Sequence, residues 1–140
     1  MSENQLISFR VGAETYVHPI EHIREIISYD EPVPVPGAPP TTEGILNVRG
    51  TVITVFSGRT LLDEARMQGN DDWRIVILEL DSGQIGISVD AVGNMLHFHP
   101  DEVEWNATDN SQQQLIKGTL QRSGTLYILT DFSNLNISGD

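Results

Sequence analysis

A proline-dense segment constrains this chain more than any other. Val35-Pro36-Gly37-Ala38-Pro39-Pro40 holds three prolines in five residues. Proline lacks the backbone N–H and fixes φ, so no helix runs through this stretch and the prolines set the entry path of the chain rigidly. Two apolar segments follow, Gly44–Val48 and Thr51–Phe56, and read as consecutive strands. Between them stands Arg49, bracketed by Gly44 and Gly50, which allow backbone conformations that other residues resist. An arginine in that setting is either paired with a carboxylate or presented to a partner.

The remaining pattern is short strands punctuated by turns. Leu6–Val11 alternates, with Ile7, Phe9 and Val11 expected on one face, and Thr15–Ile20 resumes as the second arm of a hairpin. Ile20, Ile23 and Ile27 fall at helical spacing, while the β-branched run from Ile23 to Ile27 favours strand, so a helical turn entering a strand is expected. Ser57–Ala65 can hold a short helix and Met67–Asp72 is a loop. Trp73–Leu80 and Gln84–Val92 form a second hairpin, the latter placing Ile85, Ile87, Val89 and Ala91 on one face. Met95–Phe98, Leu115–Leu120 and Thr125–Thr130 complete the strands, with Asp109–Gln114 an exposed loop and Asp131–Leu135 a final helical turn capped by Asp131. Nine or ten short strands at regular spacing predict an all-β barrel or sandwich, one domain over residues 1–140 with an ordered core of about 5–136.

Charge narrows the function classes. Twenty acidic residues against eight basic ones give a net charge of −12. Nucleic-acid binding rests on neutralising phosphates, and an anionic membrane surface repels such a chain. A basic partner patch suits it, and solubility is the plainer use of the same charge. No cysteine is present, which removes disulfides and thiolate metal sites. The N-terminus shows no signal-peptide pattern, and no apolar run approaches the roughly 20 residues that span a bilayer.

Little in the chain suggests catalysis. His97 and His99, with Asp101, Glu102 and Glu104 behind them, are the one metal candidate, but no third-ligand spacing accompanies them. Ser57 lacks a nucleophile elbow and reads as a helix start. His18 and His22 read as partly exposed packing residues. Glu25 and Arg49 each stand among apolar neighbours, where an unpaired charge is costly. They either form a pair or lie on separate exposed faces, and pattern alone leaves both open.

Four blocks in order resemble the CheW-like domain of bacterial chemotaxis coupling proteins. They are Tyr16–Ile20 with Ile23–Ile26, Val35–Pro39 with Gly44–Gly50, Ile85–Val92, and Ile116–Gly118 with Leu129–Asp131. The resemblance runs from Leu6 to Leu135 and is strongest in the second block. It implies two interleaved five-stranded SH3-like β-barrels packed around a shared core, with no catalysis and no cofactor. It implies a cytoplasmic adaptor for chemotaxis or for another sensory pathway, recruited to receptor arrays. The implied partners are the regulatory domain of a CheA-type histidine kinase and the cytoplasmic tip of chemoreceptors.

The family's charged pair falls on Glu25 and Arg49, its docking surface on Ile23, Gly44 and Asn47, and its receptor groove on Ile87 and Val89. The chain departs from the family pattern after Gly50, where Pro, an apolar pair, Asp and Leu are replaced by Thr54, Val55-Phe56, Ser57 and Gly58, with Arg59 retained.

Overall fold

The computed structural model describes residues 4–64, 71–106, 115–133 and 135. Among them eleven strands form two sheets. The strands are β1 (Gln5–Val11), β2 (Glu14–Pro19), β3 (Ile23–Ser28), β4 (Thr42–Val48), β5 (Thr51–Ser57), β6 (Arg74–Leu80), β7 (Gly83–Val89), β8 (Ala91–His97), β9 (Val103–Trp105), β10 (Ile116–Arg122) and β11 (Thr125–Thr130). A single turn of α-helix, α1 (Gly58–Leu61), follows β5, and 3-10 turns at Ile20–His22 and Pro100–Glu102 precede β3 and β9.

The five-stranded sheet has the order β3-β6-β7-β5-β4 and comes wholly from the middle of the chain. The six-stranded sheet, β8-β1-β2-β11-β10-β9, is assembled from the two ends. The first sheet is therefore nested inside the second in sequence. Each sheet contains one parallel pairing, β5 with β7 and β2 with β11, and these join segments distant along the chain.

Three apolar clusters follow from this arrangement. Leu46, Ile53, Val55, Ile75 and Ile77 form one cluster on the five-stranded sheet. Leu6, Val17, Val103, Leu120 and Leu129 do the same for the six-stranded one. The largest cluster joins the sheets, bringing Phe9, Val11 and Tyr16 from one against Phe56, Val76, Leu78, Ile85, Ile87 and Val89 from the other, with Phe132 against them. Each fully buried Ile, Leu or Phe there is worth about 1.5–3 kcal/mol of transfer free energy.

Several expectations change in detail. The six-stranded sheet gains a strand because the three residues of β9, too short to show alternation, pair with β10. In β1 Phe9 and Val11 enter the cluster between the sheets as expected, but the opposite face is buried too, with Leu6 in the second cluster and Ser8 set against a bulge in β8 where Gly93 and Asn94 face it. Ala91 does not continue β7. The chain breaks at Asp90 and crosses to the other sheet, where Ala91 opens β8. The final turn is as expected in outline: the Asp131 carboxylate accepts the Ser133 N–H at 2.9 Å and the Leu135 N–H donates to the Phe132 carbonyl at 3.1 Å, with no helix assigned among the described residues. The expected loop at Asp109–Gln114, and most of the one at Met67–Asp72, lie outside the described residues.

His18 is the clearest correction. It is 2% exposed rather than partly exposed, stacked on Phe132 with ring centroids 5.5 Å apart. Its Nε2 accepts the Phe132 N–H at 2.9 Å, and its Nδ1 lies 2.8 Å from the Pro19 carbonyl. The ring is thus neutral, with the proton on Nδ1. Burial lowers its pKa, opposed by the Pro19 carbonyl and by Asp131.

Candidate docking surface

A second proline pattern lies just ahead of the proline-dense segment and alternates. In Pro32-Val33-Pro34-Val35 every second residue is proline, so the backbone stays extended and successive side chains point to opposite sides. Val33 pairs with Ile45 on the outer edge of β4, with Val33 N–H to Ile45 O at 2.8 Å and Ile45 N–H to Val33 O at 2.9 Å. Gly44 makes this approach possible. Its φ is +153°, and a Cβ there would overlap the Val33 carbonyl oxygen and stand 2.6 Å from the carbonyl carbon.

An apolar face results. Val33 is 63% exposed and Val52 61%, with Ile45 and Val35 also exposed. Ile45 and Asn47 are on the same face of β4, and Val52 lies directly opposite Asn47 on β5. Solvent-facing apolar side chains grouped in this way mark an interaction site more often than scattered ones do. Val33, Val35 and Val52 were not singled out from the sequence. Their signal was the Pro-Val-Pro-Val repeat, which forces alternate residues outward.

The β4–β5 hairpin ends the face in a two-residue turn, Arg49-Gly50, with φ of +50° and +87°. Both values are positive, as in the type I′ hairpin turn, where Asn-Gly is the favoured pair. Asn47 supports the turn by accepting the Gly50 N–H on Oδ1 at 2.9 Å. Arg49 therefore occupies a turn rather than a strand interior, and its side chain is 68% exposed. It forms an ion pair with Glu25 on β3, whose side chain is 29% exposed. The five-stranded sheet curls far enough for its two edge strands to meet at this pair, and Tyr29 Oη donating to Glu43 Oε1 at 2.7 Å makes a second contact beyond β3.

Magnitudes separate the possible roles of Arg49. A left-handed backbone costs a non-glycine residue about 1–2 kcal/mol. An exposed ion pair returns about 0.2–1 kcal/mol. The pair does not offset the strain, so stability does not account for an arginine at this position.

The other sequence-derived residues divide. Ile23 is half-buried beside a bulge that separates it from Glu25. Ile87 and Val89 are 1% and 2% exposed, with side chains in the core between the sheets. They present almost no side-chain surface. Ser57 caps α1, its Oγ accepting the Thr60 N–H at 3.2 Å, so the altered exit of β5 ends in a helix start. Arg59 is buried against Asp90, donating from Nε to Oδ1 at 3.0 Å, with Nη2 paired to Oδ2.

The histidine candidates do not converge. His97 is in β8, beside Gln5. His99 begins the 3-10 turn, and its N–H donates to Glu102 Oε1 at 2.8 Å. That bond, with Arg122, lowers the Glu102 pKa. No three His, Asp or Glu side chains gather as a metal site among the described residues.

Two nested β-sheets share a core and carry an exposed apolar face that ends in a charged turn. The chain belongs to the CheW-like domain family, whose model matches residues 5–137. It is 29% identical over 136 residues to the chemotaxis protein CheW of Treponema pallidum, covering 89% of this chain and 76% of that one. It is 28% identical over 119 residues to the CheW of Bacillus subtilis, covering 81% and 76%. The fold is also that of the scaffolding protein TtCheW from Thermoanaerobacter tengcongensis, with a TM-score of 0.84 at 21% identity over 97% of this chain and 95% of that one.

Proposed function

We propose that this chain is a non-catalytic adaptor that couples chemoreceptors to a CheA-type histidine kinase. The face of Val33, Ile45, Asn47 and Val52, ending at the Glu25–Arg49 pair, takes the kinase regulatory domain. Ile23 and Gly44 shape its border. The groove between the two sheets, backed by Ile87 and Val89, takes the helical tip of a receptor. Simultaneous occupation links the two binding equilibria, and that linkage is the signal path. An apolar centre with a polar rim is the usual anatomy of such an interface. The adaptor works in the cytoplasm, at receptor arrays. Family membership supports this reading. The single observation that carries the site is Arg49 itself, an exposed arginine held in a strained turn that its ion pair does not compensate.

Arg49→Glu tests it. The substitution reverses the charge and sets it against Glu25. Circular dichroism is expected to report a folded protein. Calorimetric titration with the kinase regulatory domain is expected to show affinity reduced about tenfold or more. Unchanged affinity removes Arg49 from the interface.

A further inference from the structure

The five-stranded sheet has an open end with a cavity of about 250 Å³, where β5 and β7 finish and β4 and β6 begin. We propose that this cavity is a binding site for a single guanidinium group, an inference that rests on the adaptor reading only for where that group comes from.

Charge makes the first argument. The Glu43 carboxylate lines the cavity, and neutral hydroxyls orient both of its oxygens. Tyr29 Oη donates to Oε1 at 2.7 Å and Ser88 Oγ to Oε2 at 2.5 Å. Among the described residues no cationic side chain forms an ion pair with it. The one guanidinium in the wall, that of Arg59, is engaged with Asp90 by two nitrogens. Glu31 adds a further negative charge at the cavity. A partly buried carboxylate is ordinarily matched by a cation, and the donors on Glu43 here are two hydroxyls.

Shape makes the second. Tyr29 and Trp73 line the same cavity and meet edge to face, 5.1 Å between centroids at 87°. They form an aromatic corner beside the carboxylate. A planar cation stacks on such a face while donating in-plane hydrogen bonds to a carboxylate, which a guanidinium does better than an ammonium. A metal ion is a poor fit, because the carboxylates do not converge.

The source is either an arginine of a docked partner or a free arginine-like molecule. Pro32 and Pro34 line the cavity, whereas Val33 between them is exposed on the apolar face. A protein seated on that face is one residue away from the rim.

The test titrates the 15N-labelled full chain with N-acetyl-arginine amide, using N-acetyl-norleucine amide as the neutral control. Expected are saturable shifts at the Glu43 and Ser88 amides and the Trp73 indole N–H, absent with the norleucine probe and lost in Glu43→Gln. Trp73→Leu, which leaves the carboxylate in place, is expected to weaken the same response. No saturable shift, or equal shifts with norleucine, overturns the site. The kinase regulatory domain identifies the source. An approximately tenfold loss of affinity in Glu43→Gln assigns the guanidinium to the partner. Unchanged affinity, with arginine amide still binding the wild type, assigns it to a free ligand. If the wild-type chain does not bind the kinase at all, the adaptor reading fails while the arginine titration still decides the cavity.

Discussion

Replacing Arg49 by asparagine separates the two roles that charge reversal mixes. Asparagine enters the left-handed region more readily than arginine and is favoured before glycine in a two-residue hairpin turn. The substitution therefore relieves about 1 kcal/mol of backbone strain at φ +50°. It also removes the exposed pair with Glu25, worth about 0.2–1 kcal/mol. The two terms oppose each other, and the hydrogen bond from the Gly50 N–H to Asn47 is untouched. The unfolding free energy is expected to stay within about 1 kcal/mol of wild type, a shift in Tm of no more than about 4 °C. Binding is expected to behave differently, because the cation presented beside Val52 is gone. Affinity for the kinase regulatory domain should fall about tenfold, a loss of about 1.4 kcal/mol. Urea unfolding and calorimetric titration on the same preparation measure both quantities. A stability loss above about 2 kcal/mol with unchanged affinity would refute the reasoning, because it would make the pair a brace for the sheet edges.

Two further outcomes follow from the geometry. Gly44→Ala drives a methyl group into the Val33 carbonyl, so the two-bond bridge between Val33 and Ile45 opens. At about 1 kcal/mol net per hydrogen bond the loss is about 2 kcal/mol, and exchange of the Val33 and Ile45 amide protons should accelerate; unaltered exchange counts against the bridge. His18 gives a pH dependence of defined sign. Burial holds its folded pKa below the ordinary 6.5, so from about pH 6.5 downward the unfolded chain binds the proton first. Stability attributable to this ring is full above 6.5, declines with falling pH at up to about 1.4 kcal/mol per unit, and levels off once the folded pKa is passed. Urea melts at pH 7.5 and 5.5 should differ more for wild type than for His18→Gln. Equal differences would place the ring's proton equilibrium outside this window.

Local chemistry is what the sequence determined alone. Alternation set most strands, and Ile20, Ile23 and Ile27 announced a helical turn running into a strand, as found at Ile20–His22 and β3. Such features depend on residues a few positions apart, so a linear reading reaches them. The resemblance to a known family added the Glu25–Arg49 pair, which spacing left open. Pairings between distant segments stayed out of reach. His18 reads as a partly exposed packing residue until Phe132, 114 residues later, stacks on it and donates to its Nε2. The burial of Ile87 and Val89 looks like any alternating strand until the second sheet covers that face. The bulge in β3 resets alternation without any glycine or proline to mark it. Only the tertiary structure decided that Arg49 occupies a turn where the two edges of a curled sheet meet. An edge-to-edge approach belongs to the whole five-stranded sheet, and no stretch of its sequence carries it.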